Sequence, residues 1–361
     1  MNKSIGLVQI TMIILSSVGL INHVFIIPVL MDVAGRDAWI SILLIAVPVI
    51  AWAGLLYWIM KKSRQQHLLE WVSTRLGGVV GWIVVSLACL YLFVSAAVTV
   101  RDTVNWAITS YLPQTPKTPL LIGFLLVCYL TAVQGIRVIA IQTGILLPAI
   151  VALGFFVAFS NGPNKDYLRL LPVLEYGMGP VWQGALVSGC GLIELTILLF
   201  MQPYLTHSIR FWQVALIALI LLGLTFGPVT GGIAEYGPQE LSKLRYPAFE
   251  EWKLIILTRN VERLDFLSIY QWMAGAYLRI STALFLIQEL MNRKRTIRPS
   301  LFQLPVLILL VVATLLPLSD ERFYLLIKHL YLPGTMAVLG LVGVILGVVT
   351  LIGKKEKVSH G

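Results

Sequence analysis

The sequence predicts an all-α, polytopic membrane protein whose helices form two related halves. Three observations lead to this fold class. The 361 residues are 58% hydrophobic and only 12% charged, apolar runs follow one another along almost the whole chain, and polar residues interrupt two of those runs. Uncharged apolar segments of about 18 residues or more are typical of transmembrane helices. We therefore expect one transmembrane domain over residues 1–361 rather than a soluble domain.

Ten apolar runs are long enough to be membrane spans. They cover residues 5–30, 38–60, 82–110, 118–134, 137–159, 180–202, 212–234, 265–291, 301–318 and 333–353. A shorter segment, 64–78, has the pattern of an amphipathic helix that lies at the membrane interface. In the longest loop, 235–264, prolines at 238 and 247 predict a short helix on the outer surface. Such a helix could serve as a lid or a docking face, or simply as an amphipathic connector.

The distribution of Lys and Arg over the loops predicts the orientation, because cytoplasmic loops are enriched in these residues. One set of loops carries 14 basic residues against two acidic ones, Glu70 and Glu356, whereas the other carries 11 basic residues against 12 acidic ones. The first set should be cytoplasmic, with both termini inside, and an even number of spans agrees with this. The net charge of +10 is then explained by topology, and no nucleic-acid partner is expected.

Small and polar residues interrupt spans 1 and 6 at mid-depth. Span 1 contains "LSSVGLINHVFIIP" (15–28), and span 6 contains "SGCGLIE" (188–194). The two spans are five apart, which is half of ten. Interrupted helices at matching positions of two halves are the sequence sign of an inverted-repeat transporter fold. We expect a first repeat at about 5–159 and a second at about 180–318, with span ten at 333–353.

The interruptions predict helix breaks within 16–23 and 188–192 that face each other near the bilayer centre. Unwound backbone persists in a membrane only where it faces protein, water or a ligand. The ligand-binding candidates in these two spans are Ser16, Ser17, Gly19, Asn22, His23, Ser188, Gly189, Cys190, Gly191 and Glu194. The alternative is that the small residues merely allow close helix packing. His23 fits a packing residue or a pocket wall better than a proton carrier.

Five charged residues lie within the spans or at their ends. They are Arg101, Asp102, Glu194, Arg279 and Glu289. Glu194 and Arg279 fall near the middle of spans 6 and 8, where a charge costs about 3 kcal/mol on insertion scales. Each therefore needs a partner, and the sequence leaves two alternatives open: they bind each other to hold the bundle together, or they bind a ligand.

The sequence contains none of the common catalytic motifs. There is no P-loop, HExxH, CxxC or GxSxG pattern, and the five histidines have no metal-ligand spacing. Cys89, Cys128 and Cys190 all fall inside apolar spans, so neither a disulfide framework nor a zinc site is expected. We therefore predict that the protein is not an enzyme and has no cofactor and no metal site.

Ten spans with breaks in spans 1 and 6 resemble the amino acid–polyamine–organocation superfamily, which has the LeuT-like five-plus-five fold. The stretch "LRYPAFEEWKLIILTRNVERLDFLSIYQWM" (244–273) resembles, more narrowly, the B subunit of bacterial spore germinant receptors, the GerAB-like permeases. Its Tyr246–Pro247 element and the turn Glu262–Arg263–Leu264–Asp265 before span 8 carry this resemblance. The opening "SIGLVQITMIILSSVG" (4–19) is also similar.

The resemblance implies a sensor in the inner membrane of a spore that binds a small nutrient germinant, with an amino acid as the expected class. Helix N-termini at the breaks would suit its carboxylate. The walls of the pocket would be completed by Tyr91, Ser95 and Val98 of span 3 and by Tyr277, Arg279 and Ser281 of span 8. The implied partners are an A subunit and a lipoprotein C subunit of the receptor, besides the lipid bilayer.

Two departures from relatives bear on this expectation. Asn22 and His23 stand where relatives often have Gly-Ser or Gly-Ala, which narrows the pocket or gives it new hydrogen-bonding groups. Span 5 has no Lys of the kind that proton-coupled relatives use, which favours a sensor without concentrative transport. The alternative function is a secondary transporter of amino acids or amines.

Overall fold

The computed structural model describes residues 4–255, 264–292 and 296–352, and it confirms the all-α fold class. Within these residues there is no strand, apart from an isolated bridge between Ile5 and Leu205. The α-helices are α1 Leu7–Val24, α2 Ile26–Ala34, α3 Ala38–Ser63, α4 Leu68–Leu76, α5 Gly78–Ser110, α6 Lys117–Gln134, α7 Ile136–Ser160, α8 Met178–Leu192, α9 Ile197–Met201, α10 Phe211–Tyr236, α11 Pro238–Leu241, α12 Pro247–Lys253, α13 Leu267–Met291, α14 Pro299–Leu315, α15 Asp320–Leu326 and α16 Leu332–Leu351.

Seven helical stretches in the described residues are long and apolar enough to cross a membrane. One of them, Leu7–Ser63, combines α1, α2 and α3, because only the short turn Gly35–Asp37 separates α2 from α3. α13 is not among the seven, since Arg279, Gln288 and Glu289 lower its hydropathy. α14 is apolar but only 17 residues long. The protein is thus a multi-pass membrane protein, whereas the number of ten spans stays a prediction.

The interruption in span 1 lies closer to the C-terminal end than the sequence predicts. α1 remains helical through the polar stretch 16–23 and ends at Val24, and α2 begins at Ile26. Pro28 explains this position, because a proline has no N–H to donate and its ring clashes with the carbonyl four residues earlier. That carbonyl belongs to Val24. The expectation of a break within 16–23 is therefore wrong by a few residues.

Span 6 is distorted rather than opened. α8 continues through Gly189 and Gly191 and ends at Leu192. A tighter 3-10 turn follows at Ile193–Thr196, and α9 resumes directly after it. The expected break within 188–192 is therefore wrong in position, and the two glycines do not unwind the helix.

α13 lies at the centre of the bundle. It packs against α1, α5, α6 and α7, and every residue from Leu278 to Leu290 is buried. A helix that is buried on all sides is surrounded by other helices rather than by lipid. On the other side of the bundle α8 packs against α2 and α3, and α10 packs against α1 and α3. The charged residues of α13 therefore lie inside the protein.

The loop that follows α10 contains two short helices, whereas the sequence predicts a single short helix over 238–256, of which 256 lies outside the described residues. α11 and α12 begin at Pro238 and Pro247, in the first helical turn, where a missing N–H costs nothing. α12 buries the side chains of Phe249 and Trp252. Its role as a lid or docking face stays a prediction.

Two other sequence expectations meet the structure only in part. The amphipathic segment 64–78 does form a helix, α4, but its Leu68, Trp71 and Val72 are buried and α4 packs against α5. Its apolar face therefore contacts protein. In the turn before span 8, Glu262 and Arg263 lie outside the described residues, as does the last residue of predicted span ten, 353.

Candidate functional site

A buried ion pair joins α13 to the 3-10 turn of span 6. Arg279 donates from Nη1 to Glu194 Oε2 at 2.7 Å and from Nη2 to Glu194 Oε1 at 2.8 Å. The side chains of Arg279 and Glu194 are 1% and 0% exposed. Bidentate pairs of this kind are among the strongest hydrogen-bonded contacts in proteins. The sequence alternative in which the two charges bind each other is thus realised in this structure.

The remaining donors of Arg279 are also occupied. Nη1 donates to the Ser17 carbonyl oxygen at 2.6 Å, Nη2 to Ser95 Oγ at 2.6 Å, and Nε to Thr99 Oγ1 at 3.1 Å. Tyr331 Oη lies 3.1 Å from Nη2 and 3.3 Å from Glu194 Oε1. A guanidinium has five N–H groups, and each has an acceptor here. The charge of Arg279 is therefore fully compensated.

Local structure explains how these side chains converge. Ser95 and Thr99 are four residues apart on α5 and so lie on one face of it. Arg279 extends from the central helix α13, and Glu194 from the 3-10 turn that replaces a regular turn of span 6. Tyr331 ends a π-helical turn, Ile327–Tyr331, that joins α15 to α16. π-helical turns occur often at functional sites.

Gly191 and Asn22 bring spans 1 and 6 together beside this pair. A Cβ on Gly191 would collide with Asn22 Oδ1 and would lie 2.8 Å from Ile26 Cγ1. A Cβ on Gly189 would meet Met336 Cε at an ordinary 3.4 Å. Gly191 is therefore required for close contact, as the packing alternative predicted, whereas Gly189 is not.

Several buried polar atoms near the centre have no hydrogen-bond partner within the described part of the chain. Tyr91 Oη, Asn22 Oδ1 and Ser188 Oγ are of this kind. Tyr91 lies close enough to Glu194 and Arg279 to interact with both charges. An unpartnered buried polar group costs about 1–3 kcal/mol, and a hydrogen bond to a bound polar molecule would remove this cost.

Other candidates from the sequence face away from the ion pair. Tyr277 Oη bonds with Thr131 Oγ1 at 2.5 Å and donates to Gln142 Oε1 at 2.6 Å. Tyr277 is two residues from Arg279, and two residues of an α-helix point about 200° apart. Ser281, two residues beyond Arg279, likewise lies beside Cys128 of α6. Neither side chain contacts Arg279 in this structure.

The remaining candidates make packing contacts. His23 lies against the backbone of Leu224 on α10, and a Cβ on Gly19 would lie 3.2 Å from the same leucine. Cys190 Sγ is 3.7 Å from Met336 Sδ. Ser16 Oγ bonds the Ile13 carbonyl oxygen of its own helix at 3.0 Å, and Val98 belongs to the hydrophobic core.

The sequence interpretation missed Thr99 and Tyr331. Thr99 could have been found, because it follows Ser95 by one helical turn. Tyr331 could not, since it precedes the predicted span ten and no periodicity predicts a π-helical turn. In the described residues no cluster of His, Cys, Asp or Glu has the arrangement of a metal site.

Two further ion pairs close the bundle at the end that the sequence predicts to be outside, called the outer face below. Lys328 Nζ bonds Asp32 Oδ2 at 2.5 Å and so joins the π-helical turn to α2. Arg245 Nη2 bonds Asp102 Oδ1 at 2.6 Å and joins the loop before α12 to α5.

A third set of charged residues at the outer face has fewer hydrogen bonds than its oxygen atoms could accept. Lys165 Nζ lies 3.5 Å from Glu235 Oε1, and Glu235 Oε2 has no hydrogen-bond partner among the described residues. Glu251 of α12 is buried nearby. Burial, followed by the neighbouring Glu235 carboxylate, raises the pKa of Glu251 to about 8, although Lys165 acts in the opposite direction. We call Lys165, Glu235 and Glu251 the outer carboxylate cluster.

Comparison with known proteins shows the family. Residues 5–322 match the family model described as spore germination protein. The chain is 38% identical over 352 residues to spore germination protein XB of Bacillus anthracis, covering 97% of this chain and 98% of that protein. It is 25% identical over 263 residues to spore germination protein KB of Bacillus subtilis, covering 70% and 69%.

A solved structure has the same fold. MhsT, crystallised in complex with L-phenylalanine, superposes with a TM-score of 0.62 at 13% identity and covers 94% of both chains. At this identity the likeness concerns the fold alone, and it confirms the LeuT-like architecture. The family model and the 38% identical relative show that the chain belongs to the spore germination protein family, and its fold is LeuT-like.

Proposed function

We propose that the chain is the B subunit of a spore germinant receptor and binds a small nutrient, an amino acid being the expected class, at the Glu194–Arg279 pair. It would act in the spore inner membrane with both termini cytoplasmic, together with A and C subunits. Binding rather than catalysis is its role in this proposal.

One observation carries the proposal: Arg279 connects elements of both predicted repeats. Ser17, Ser95 and Thr99 belong to the first repeat, whereas Glu194 and Arg279 belong to the second. In inverted-repeat transporters the substrate binds near mid-membrane at the interface between the repeats. The pair has this position relative to the predicted repeats.

The chemistry of the pair suits a zwitterion. Because each N–H of Arg279 has an acceptor, a ligand must replace existing bonds rather than add to them. The carboxylate of an amino acid can replace Glu194 as the acceptor, and its ammonium group can then bind the released Glu194. After this exchange both Arg279 and Glu194 are again paired with an opposite charge, each with one end of the ligand. The hydroxyl of Tyr91, which lies beside Glu194, supplies a further bond.

Ligand-induced stabilisation of the purified protein tests the proposal. An amino acid present at 100 times its dissociation constant should stabilise the folded chain by about 2.7 kcal/mol, which is measurable as a rise in melting temperature. Tyr91→Phe should weaken binding about five- to tenfold, because one hydrogen bond contributes about 1 kcal/mol.

Tyr277→Phe is the matched control, since its hydroxyl bonds Thr131 and Gln142 instead. It should leave the affinity unchanged. If Tyr277→Phe weakens binding and Tyr91→Phe does not, the ligand lies elsewhere. Spores carrying Tyr91→Phe should require a correspondingly higher germinant concentration.

The alternative, a secondary transporter, is supported by the LeuT-like fold. It predicts that proteoliposomes containing the chain accumulate labelled amino acid or amine when an ion gradient is applied. A receptor that only senses its ligand should bind the same compound without accumulation. Uptake that depends on the gradient would favour the transporter.

A further inference from the structure

The α8 helix runs antiparallel to α1 and α2 where spans 1 and 6 meet. A Cβ on Gly184 would lie 2.9 Å from Leu30 Cδ1, whereas a Cβ on Gly191 would lie 2.8 Å from Ile26 Cγ1. The contacts therefore shift toward the beginning of span 1 as the chain advances along α8. Positions at and beyond Gly191 should face residues that precede Ile26.

Asn22 and the central pair follow each other along this contact. Asn22 lies against Gly191, and Glu194, three residues later, shares Arg279 Nη1 with the Ser17 carbonyl oxygen. Residues three apart lie on one side of a helix, about one turn from each other. Asn22 is therefore about one helical turn away from the Glu194–Arg279 pair.

Ser188 continues the same line on α8. It precedes Gly191 by three residues, just as Glu194 follows Gly191 by three, so the three positions lie on one side of span 6. Both Ser188 and Asn22 are 0% exposed. We call Asn22 and Ser188 the polar seam, because they extend the polar contacts of the central pair between spans 1 and 6.

Each residue of the polar seam has one polar atom without a hydrogen-bond partner among the described residues, Asn22 Oδ1 and Ser188 Oγ. Asn22 Nδ2 donates to the Val18 carbonyl oxygen at 3.0 Å. Only the amide nitrogen can make this bond, so the atom left without a partner is the amide oxygen. Such a buried atom costs free energy until a bound molecule supplies its hydrogen bond.

The chemistry of the polar seam restricts what can lie beside it. An amide oxygen needs a donor, and a serine hydroxyl can both donate and accept. A carboxamide or a hydroxyl group on the ligand meets these needs. An apolar group would leave Asn22 Oδ1 without a donor, and a charged group would be buried there without an opposite charge.

We propose that Asn22 and Ser188 select for an amino acid with an uncharged polar side chain, a carboxamide or a hydroxyl. The inference rests on the proposed function, in which the central pair binds the ammonium and carboxylate groups of the ligand. The side chain of that ligand then extends about one helical turn to the polar seam. An ordered water molecule is the other possible occupant of the seam, and the experiment separates the two.

The experiment compares amino acids of nearly equal shape on the purified full chain. Thermal stabilisation is titrated with L-asparagine against L-leucine and with L-threonine against L-valine. The polar member of each pair should have an apparent dissociation constant about tenfold lower, since a hydrogen bond to an otherwise unpartnered buried atom is gained. This comparison needs no substitution, so it does not depend on the folding of a variant.

Two substitutions assign the preference to the polar seam. Asn22→Leu keeps the approximate shape of the side chain and should abolish the preference for the polar member of each pair. Ser188→Ala should reduce it about fivefold. Ser281→Ala is the matched control, because Ser281 is also 0% exposed with an unpartnered Oγ in the described chain but lies beside Cys128 of α6. It should keep the full preference.

The outcomes separate this inference from the proposed function. Equal stabilisation by both members of each pair, or stronger stabilisation by the apolar ones, would overturn the selection and leave the proposed function standing. A preference that survives in both Asn22→Leu and Ser188→Ala would also overturn it and would assign the polar seam to a water molecule. Absence of stabilisation by any amino acid would contradict both.

Discussion

The central ion pair and the outer carboxylate cluster use similar groups in opposite ways. At the centre one carboxylate meets one guanidinium, both are fully buried, and each N–H of Arg279 has an acceptor. In the outer cluster Lys165 Nζ lies 3.5 Å from Glu235 Oε1, a second carboxyl group, that of Glu251, is buried near them, and Glu235 Oε2 has no hydrogen-bond partner within the described part of the chain. Each charged group therefore has a full set of partners at the centre but not in the outer cluster.

This difference in charge pairing indicates which site should respond to pH and which to a ligand. In a complete bidentate pair every strong bond is already made, so a ligand can bind there only by replacing one of these bonds. An excess carboxylate in a buried setting retains a proton instead. The centre is therefore suited to ligand exchange, and the outer cluster to titration.

Removing one charge of the central pair should have the largest effect. Glu194→Gln leaves Arg279 as an uncompensated buried charge, which costs about 3–5 kcal/mol. We expect the variant to be strongly depleted from the membrane in a quantitative immunoblot. Glu175→Gln, which breaks the partly exposed pair with Arg36, is the control and should change stability by at most about 1 kcal/mol.

A second variant separates folding from ligand binding at the centre. Combining Glu194→Gln with Arg279→Met removes both charges and should restore much of the abundance, but not stabilisation by amino acids. Normal abundance of the single Glu194→Gln variant would show that the pair is not structurally required.

A methyl group at Gly191 should perturb the centre less, without changing any charge. Gly191→Ala forces apart Asn22 and Ile26, and overpacking of this kind costs about 1–3 kcal/mol. Gly189→Ala adds the same methyl group where there is room and should be neutral or slightly stabilising. The melting temperatures of the two purified variants test this contrast, and equal values would contradict the packing role of Gly191.

The smallest effect concerns the outer cluster and depends on pH. Since the pKa of folded Glu251 is raised from 4.5 to about 8, the folded chain keeps a proton that the unfolded chain releases. The stability that Glu251 contributes is complete below about pH 4.5 and is lost as the pH rises to about 8. Glu251→Gln should flatten this decline and raise the melting temperature at pH 8 relative to that of the unaltered chain.

Glu250→Gln serves as the control, because Glu250 forms a partly exposed pair with Lys253. Its melting temperature should follow that of the unaltered chain from pH 5 to pH 8. An identical pH dependence of the Glu251→Gln variant and the unaltered chain would show that Glu251 is not protonated in the folded protein.

The sequence predicted the fold class and both members of the central pair, because a charge in an apolar helix is visible without knowledge of its neighbours. It misplaced the helix breaks. The glycines at 189 and 191 indicated an opening, whereas the contact that requires Gly191 comes from Asn22 on another helix. Whether a glycine allows close packing or unwinds the helix depends on the neighbouring helix. The sequence of one helix does not show which residue that neighbour will bring into contact.

The candidates of span 8 show what periodicity could have added. Tyr277 and Ser281 are each two residues from Arg279 and so point away from it, which a helical projection of the sequence predicts. Tyr331 is different, because a π-helical turn inserts an extra residue into the helix. Its place beside the pair depends on that insertion and could be found only in the structure.

That π-helical turn places two contacts of different kinds within one turn of chain. Tyr331 bonds the central pair, and Lys328, three residues earlier, bonds Asp32 at the outer mouth. A rotation that withdraws one of these side chains also turns the other, because they share the same short arc of backbone. A movement of this turn would therefore change the contact with the central pair and the contact with Asp32 together.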